Sequence, residues 1–386
     1  MDIRIEGGRA LIGQALEEAA LHLSTETGTI ADVGSDVGAH RRIDASGLIV
    51  LPGIVDLHGD AFERQMMPRP GVDFALDIAL VDSDRQALSN GITTVFHGVT
   101  WSWEPGLRAA DNARAMLEGI ERLKPRFGAD TRFHLRHETY NLDAEPEIAQ
   151  WLGERRIDLM AFNDHLPIAD LASPRGKKKL APMVERSGLG QDEFLGVVAR
   201  VKKRADEVPG SIARLAQAAV ANGIPLLSHD DTSPEQRRWF RSLGSRLSEF
   251  PTTLATAQEA VAHGDDIVLG APNVVRGGSH TGWTNAKDMI ARGLCSILAS
   301  DYYYPAPLIA AFRLVADDVA PLPRAWALVS ETAAAAAGLA DRGTIACGRR
   351  ADLILVDAQD TRPRVVATIV AGRIVHLVDA DRILTP

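Results

Sequence analysis

Several short motifs in this sequence end in side chains that bind metal or move protons. They are His58-Gly59-Asp60, Asn163-Asp164-His165 and Ser228-His229-Asp230-Asp231, with Glu138, Glu249 and Asp301 standing alone. Each follows a short apolar or β-branched run. One histidine in such a place is usually a hydrogen-bonded structural residue. A whole series is harder to explain that way, because each unpaired buried carboxylate costs several kcal/mol. A divalent cation satisfies such groups together. Imidazole and carboxylate donors suit Zn first, then Fe or Mn, and one or two ions are compatible with the number of donors. His58 and Asp60, two apart on an extended segment, point to the same side and can reach one ion. Asp56 reads instead as a structural hydrogen-bonding group beneath them.

These residues need a scaffold that brings distant strand ends together. Eight runs qualify as strands: Leu48–Leu57, Gly91–Val99, Thr131–Thr139, Ile157–Asn163, Ile224–Ser228, Arg246–Thr253, Asp266–Ala271 and Cys295–Ser300. Apolar residues at helical spacing lie between them, as in Leu107–Leu123 and Ser211–Asn222. Eight strand-helix units predict an α/β fold of the (β/α)8 barrel type, whose functional groups sit at the C-terminal strand ends. An open doubly wound sheet is the alternative. Residues 1–48 and 341–386 instead carry short strands, glycine turns and hairpin patterns. They predict one small β-sandwich made from both termini beside a barrel of residues 49–340. Within the barrel, Ser173–Arg204 is rich in Lys and Arg. It reads as a solvated helical face or, more sharply, as a lid over an anionic substrate.

Composition removes other classes. The 386 residues carry 42 basic and 51 acidic side chains, a net charge of −9, which argues against a nucleic-acid partner. Cys295 and Cys347 cannot form a disulfide framework, so a reducing, cytoplasmic compartment is expected. No apolar run reaches the roughly 18 residues of a membrane span. The start, Met1-Asp2-Ile3-Arg4-Ile5-Glu6, does not read as a signal peptide. A homo-oligomer remains open.

Past the seventh run stand Asn273 and Arg276-Gly277-Gly278-Ser279-His280. Arginine grips phosphate at two points, and paired glycines let backbone N–H groups approach an anion. Spacing alone also fits an ordinary glycine turn, but the place after strand seven is where barrels often bind phosphate. Asn273 and Tyr302 are further candidates for sugar or phosphate contact. Trp101, Trp103 and Trp283 read first as core.

The run Leu51-Pro52-Gly53-Ile54-Val55-Asp56-Leu57-His58, the strand-eight Asp301 and the closing stretch Gly348 to Asp357 together resemble the amidohydrolase superfamily. Longer blocks resemble its α-D-ribose 1-methylphosphonate 5-triphosphate diphosphatase subfamily. They include Pro68-Arg69-Pro70-Gly71-Val72-Asp73, Ser228-His229-Asp230-Asp231-Thr232, Glu249-Phe250-Pro251-Thr252-Thr253, Gly270 to His280 and Ser300-Asp301-Tyr302-Tyr303. The chain differs from that subfamily's pattern at Gly59, Ala61 and Leu166-Pro167-Ile168. The resemblance implies a metal-dependent hydrolase acting on a small anionic substrate in phosphonate breakdown, with diphosphate released. It implies His58, Asp60, Glu138, His165, His229 and Asp301 as ligands, with Glu249 second in rank. Glu138 is the expected bridge, since no Lys ends strand three or four; its competing reading is an ion pair with Arg132 or Arg136. Asp301 is the expected general base and then acid. The rival activity is a carbon–nitrogen hydrolase of the N-acyl amino acid or amino-sugar deacylase type. A non-catalytic metal-bound binding protein is the third reading.

Overall fold

The structure, a computed structural model, describes residues 2–35, 38–69, 71–166, 174–278, 285–359 and 362–384, and the backbone alone over 174–179. Eight parallel strands follow one another in chain order around a barrel: Ile54–Gly59, Ile92–Trp101, Asp130–Glu138, Leu159–Asn163, Leu226–His229, Leu247–Glu249, Asp266–Gly270 and Ile297–Ala299. Each is joined to the next by helix, as the alternating pattern predicts. The ring closes at Asp301. Its N–H donates to the His58 carbonyl at 2.8 Å, and its carbonyl accepts from the Asp60 N–H at 3.0 Å. The backbone contact that shuts the barrel therefore also sets Asp301 beside His58 and Asp60.

A buried cluster packs Val55, Leu57, Phe96, Leu159, Ala161, Leu227, Leu247, Val268, Ile297 and Ala299. Residues from so many strands meet only in the barrel interior, which is a packed core. Two positions beyond Ala161, Leu227, Leu247 and Ala299 stand Asn163, His229, Glu249 and Asp301. The period of two carries each inward face from an apolar floor to a polar mouth.

The termini form two further sheets. One orders Ile383–Leu384, Arg41–Asp44, Asp2–Glu6, Leu21–Ser24 and Thr29–Val33; the other orders Arg373–Leu377, Arg364–Val370, Leu353–Asp357, Ile49–Pro52, Arg9–Ile12 and Ala15–Glu18. Ile3, Leu21, Leu23, Ile30, Val50, Leu353, Leu355 and Ile369 share a core between them. The run read as a single first strand is thus two strands. Ile49–Pro52 pairs with Leu353–Asp357 in the terminal sheet, and Ile54–Gly59 enters the barrel. Gly53 lies between them, and a Cβ there would come within 2.2 Å of the Thr93 side chain. The sandwich sheet therefore reaches Pro52, beyond the expected boundary at residue 48.

Helices Pro174–Ser187 and Gln191–Lys202 form the basic insertion. Leu180, Met183, Phe194 and Val198 pack with Leu166 in a core of their own, and Arg186 pairs with Glu104 at 2.6 Å. Trp103 packs on Phe194, and Trp101 on Trp151, as the core reading predicts. Among the described residues, no helix is long and apolar enough to cross a membrane.

Candidate metal centre

At the mouth of the barrel three sets of side chains place their donor atoms within 4.8 Å of one another: His58, His229 and Glu249; His165, His229 and Asp230; and His58, Asp60 and Asp301. Six of the seven expected metal ligands are in these sets. The seventh, Glu138, lies behind His165. Its Oε1 is 2.6 Å from His165 Nδ1, and its Oε2 accepts the His165 backbone N–H at 3.0 Å. Both oxygens of Glu138 are thus spent on His165, whose Nε2 turns toward Asp230 Oδ2 at 3.7 Å. This is the arrangement of a carboxylate orienting a ligand imidazole. Neither arginine pairs with Glu138. Arg132 goes to Asp130 and Asp158, and Arg136 goes to Asp60 and His229.

Glu249 lies across the barrel from strand one. Its Oε1 is 2.7 Å from His58 Nδ1, and its Oε2 is 3.8 Å from His229 Nε2. Below them the Asp56 carboxylate accepts the Ser300 N–H at 2.8 Å and the Ser300 hydroxyl at 2.6 Å. Asp56 therefore ties strand eight to strand one, as its structural reading predicts. Gly59 fits this bond, since a Cβ there would lie 2.9 Å from Asp56 Oδ2.

The electrostatics follow the packing. Burial raises the Asp301 carboxyl, and Asp60 beside it adds to the effect, to about 7. Burial alone would raise Glu138, but His165 outweighs it and holds Glu138 at about 2. Burial likewise opposes a charged His165, and Glu138 with Asp230 overcomes it, taking the imidazole to about 9. Burial and Glu249 oppose each other at His58, and the net shift is upward. The Glu249 carboxyl lies well below its ordinary range, because His58 and His229 outweigh its burial.

The donor set fits a divalent ion. Glu249 Oε2 is buried with no hydrogen-bond partner, 3.8 Å from His229 Nε2. Such atoms are costly unless something else binds them, and hard or borderline cations take this mixture of oxygen and imidazole nitrogen.

Two residues in the cluster escaped the sequence reading. Asp230 follows His229 directly, and neighbours on a strand point to opposite faces. Its φ of +58° turns it back into the mouth. Phe250 and Asp301, also just past strand ends, have φ of +53° and +54°. Left-handed backbone at non-glycine residues gathers at functional sites, but sequence offers little sign of it. The other is Arg136, which lies between Asp60 and His229.

The expected anion loop is partly in view. Asn273 and Arg276 lie in the helix Ala271–Arg276, and Gly277, at φ +80°, caps its C-terminus. The Gly278 N–H donates to the Asn273 carbonyl at 3.0 Å. The glycines thus do the work of a helix cap. Asn273 Oδ1 accepts the Ala286 N–H at 3.1 Å. Arg276 reaches Tyr302 Oη at 3.4 Å, and Arg64 lies over the Tyr302 ring at 5.6 Å. Two guanidinium groups therefore flank the residue next to Asp301. Ser279, His280, Trp283 and the Pro167-Ile168 segment lie outside the described residues.

A closed (β/α)8 barrel with imidazoles and carboxylates at its strand ends, and a β-sandwich drawn from both termini, defines the class. An amidohydrolase family profile matches residues 195–376. The α-D-ribose 1-methylphosphonate 5-triphosphate diphosphatase of Escherichia coli (strain K12) is 34% identical over 334 residues, covering 83% of this chain and 86% of that one. An adenine deaminase of Methylobacterium sp. (strain 4-46) is 28% identical over 370 residues, of which this chain spans 53% of the length. In fold, dihydropyrimidinase from Brevibacillus agri NCHU1002 matches with a TM-score of 0.67 at 14% identity, over 98% of this chain and 95% of that one. The chain belongs to the amidohydrolase superfamily. Within it, the chain groups with the subfamily of that diphosphatase.

Proposed function

We propose that this hydrolase cleaves the phosphoanhydride between the first and second phosphates of a ribose 5-triphosphate-type phosphonate, releasing diphosphate and leaving the 5-monophosphate. The observation that carries this reading is the likeness to the Escherichia coli diphosphatase over most of both chains. His58, Asp60, His165, His229, Glu249 and Asp301 would hold the metal, zinc first and manganese or iron next, with Glu138 fixing His165. A bound divalent ion lowers the pKa of water toward about 7 and offsets charge on the reacting phosphate.

Asp301 is the proton carrier. It stands in the ligand set beside His58 and Asp60, where it can accept a proton from water and return it to a leaving oxygen. Water oxygen bonds to the first phosphorus. The bond from that phosphorus to the bridging oxygen breaks, and diphosphate leaves with the bridging oxygen. Arg276 and Arg64, which both contact Tyr302, supply positive charge for the outer phosphates, with Asn273, Gly277 and Gly278 beside Arg276 in the chain.

A second reading, carbon–nitrogen hydrolysis, draws on the adenine deaminase likeness over 370 residues. The metal set suits both reactions. Zinc-loaded protein is to be offered the ribose triphosphate phosphonate and, separately, N-acyl amino acids, N-acetyl amino sugars and adenine. Stoichiometric diphosphate seen by phosphorus NMR supports the proposal. Amide or amine hydrolysis without diphosphate release sinks it.

A further inference from the structure

Arg136 stands inside the ligand cluster, and the reaction above gives it no task. Its side chain is buried. Nη1 donates to Asp60 Oδ2 at 3.3 Å, and Nη2 lies 3.3 Å from His229 Nε2. A guanidinium keeps its protons and offers no acceptor. His229 Nε2 is therefore the acceptor, and the ring proton belongs on Nδ1, the atom 3.3 Å from Asp230 Oδ1. That leaves His229 one lone pair, on Nε2. The same Nε2 lies 3.8 Å from Glu249 Oε2, so it is the nitrogen with which an ion shared by His229 and Glu249 would bond. One lone pair cannot serve both partners.

We infer that Arg136 is a positioning residue that occupies the place of a cation between Asp60 and His229, fixes the His229 tautomer, and competes with the metal ion for His229 Nε2. Metal binding then releases the guanidinium from His229. Its Nη2 protons, together with the Nε proton that has no hydrogen-bond partner, become donors beside the ion, where an anionic group would meet them. The barrel is shaped for this side chain. Gly98 on strand two lies where a Cβ would come within 3.1 Å of Arg136 Cδ and 3.6 Å of His58 Cδ2. The inference rests on the metal-centre reading and is independent of which substrate is cleaved.

The test is zinc affinity of the full-length protein by competition with a chromophoric chelator. Arg136→Met removes the charge and keeps an apolar stem; Arg136→Lys keeps the charge. Arg136→Met should bind zinc about tenfold tighter or more, since a like charge beside the ion is lost. Arg136→Lys should stay near wild type. A purely structural arginine predicts the opposite sign, because its loss would loosen the ligands. Equal or weaker zinc binding by Arg136→Met overturns the inference. A second measurement needs no variant: nitrogen NMR of metal-free wild type should show His229 protonated on Nδ1, and protonation on Nε2 overturns it. Wild type that binds no zinc at all would instead defeat the metal-centre reading on which this inference stands.

Discussion

Asp230 and Asp231 are neighbours in sequence and belong to two different kinds of buried charge. Asp231 enters a matched network. Its Oδ2 accepts from Ser228 at 2.5 Å, Ser248 at 2.9 Å and Arg237 at 3.3 Å. Arg237 in turn donates to the carbonyls of Leu247 and Ser245 and pairs with Asp265, which Arg241 also meets at 2.6 Å. Two guanidinium groups thus face two carboxylates. Asp230 enters the mouth, where Asp60, Glu138, Asp230, Glu249 and Asp301 gather around three imidazoles. Among the described residues, Arg136 is the guanidinium that touches them. The first region is balanced from within the chain. The second carries an excess of carboxylate that calls for a cation from outside. Burial alone does not separate a structural cluster from a functional one; charge balance does.

The largest test of that contrast is Asp301→Asn. Turnover should fall about 10³-fold, since a positioned proton carrier is worth roughly 10² to 10⁴, while circular dichroism stays that of the native fold. Its stability should move the other way. A carboxyl raised from 3.8 to about 7 is favoured in the folded state as the neutral acid. The wild-type metal-free protein therefore loses stability as pH rises from about 4 to 7. At pH 8 the Asn variant should be more stable by a few kcal/mol, on the order of the shift at 1.36 kcal/mol per unit. Urea unfolding with chelator present measures this, and equal stability at pH 8 would break the contrast.

Arg237→Met should do the reverse. It leaves Asp231 without its guanidinium partner and Asp265 with Arg241 in its place, and breaking such a buried pair costs about 3–5 kcal/mol. Metal affinity per folded molecule should change little. A loss under 1 kcal/mol by urea titration would mean that the balanced network is not structural.

Buried histidines outside the cluster give a third, pH-dependent test. Burial lowers both His97 and His137 from 6.5 to about 4. The unfolded chain binds more protons between those values, so their contribution is full above pH 6.5 and shrinks as pH falls toward 4. The loss is on the order of 3 kcal/mol for each. Replacing His97 by Gln should flatten the acid limb of the stability profile. An unchanged limb would show that His97 is not the group that titrates.

The smallest effect is expected at the rim. Arg276→Ala should raise KM for a triphosphate about tenfold, the loss of one exposed charged contact, with melting temperature within 2 °C or so of wild type. A fall in kcat with KM unchanged would move Arg276 from substrate grip to the reacting centre.

Much of this site is legible in the amino-acid sequence. Leu227 to His229, Leu247 to Glu249 and Ala299 to Asp301 each step by two from floor to mouth, and that alternation is written in the chain. The eight-strand order followed from the same signal. Less accessible was the division at Gly53, because one apolar run served two sheets. Asp230 was hidden by a left-handed backbone that reverses the alternation. The partners of Arg136 and Glu138 were hidden for another reason: Arg132, Arg136 and Glu138 share one strand face, and local spacing offered them to each other.

The sequence by itself determined which side chains stand at the strand ends, because side-chain direction on a strand is a local property of the backbone. Only the tertiary structure decided which atoms meet. Asp301 reaches His58 through the hydrogen bonds that close the barrel, from strand eight back to strand one. Arg136, on strand three, passes Glu138 by for Asp60 and His229, because the ends of strands one and five, each two strands away around the barrel, bring those atoms to 3.3 Å. Such choices depend on distances across the barrel, and no spacing along the chain records them.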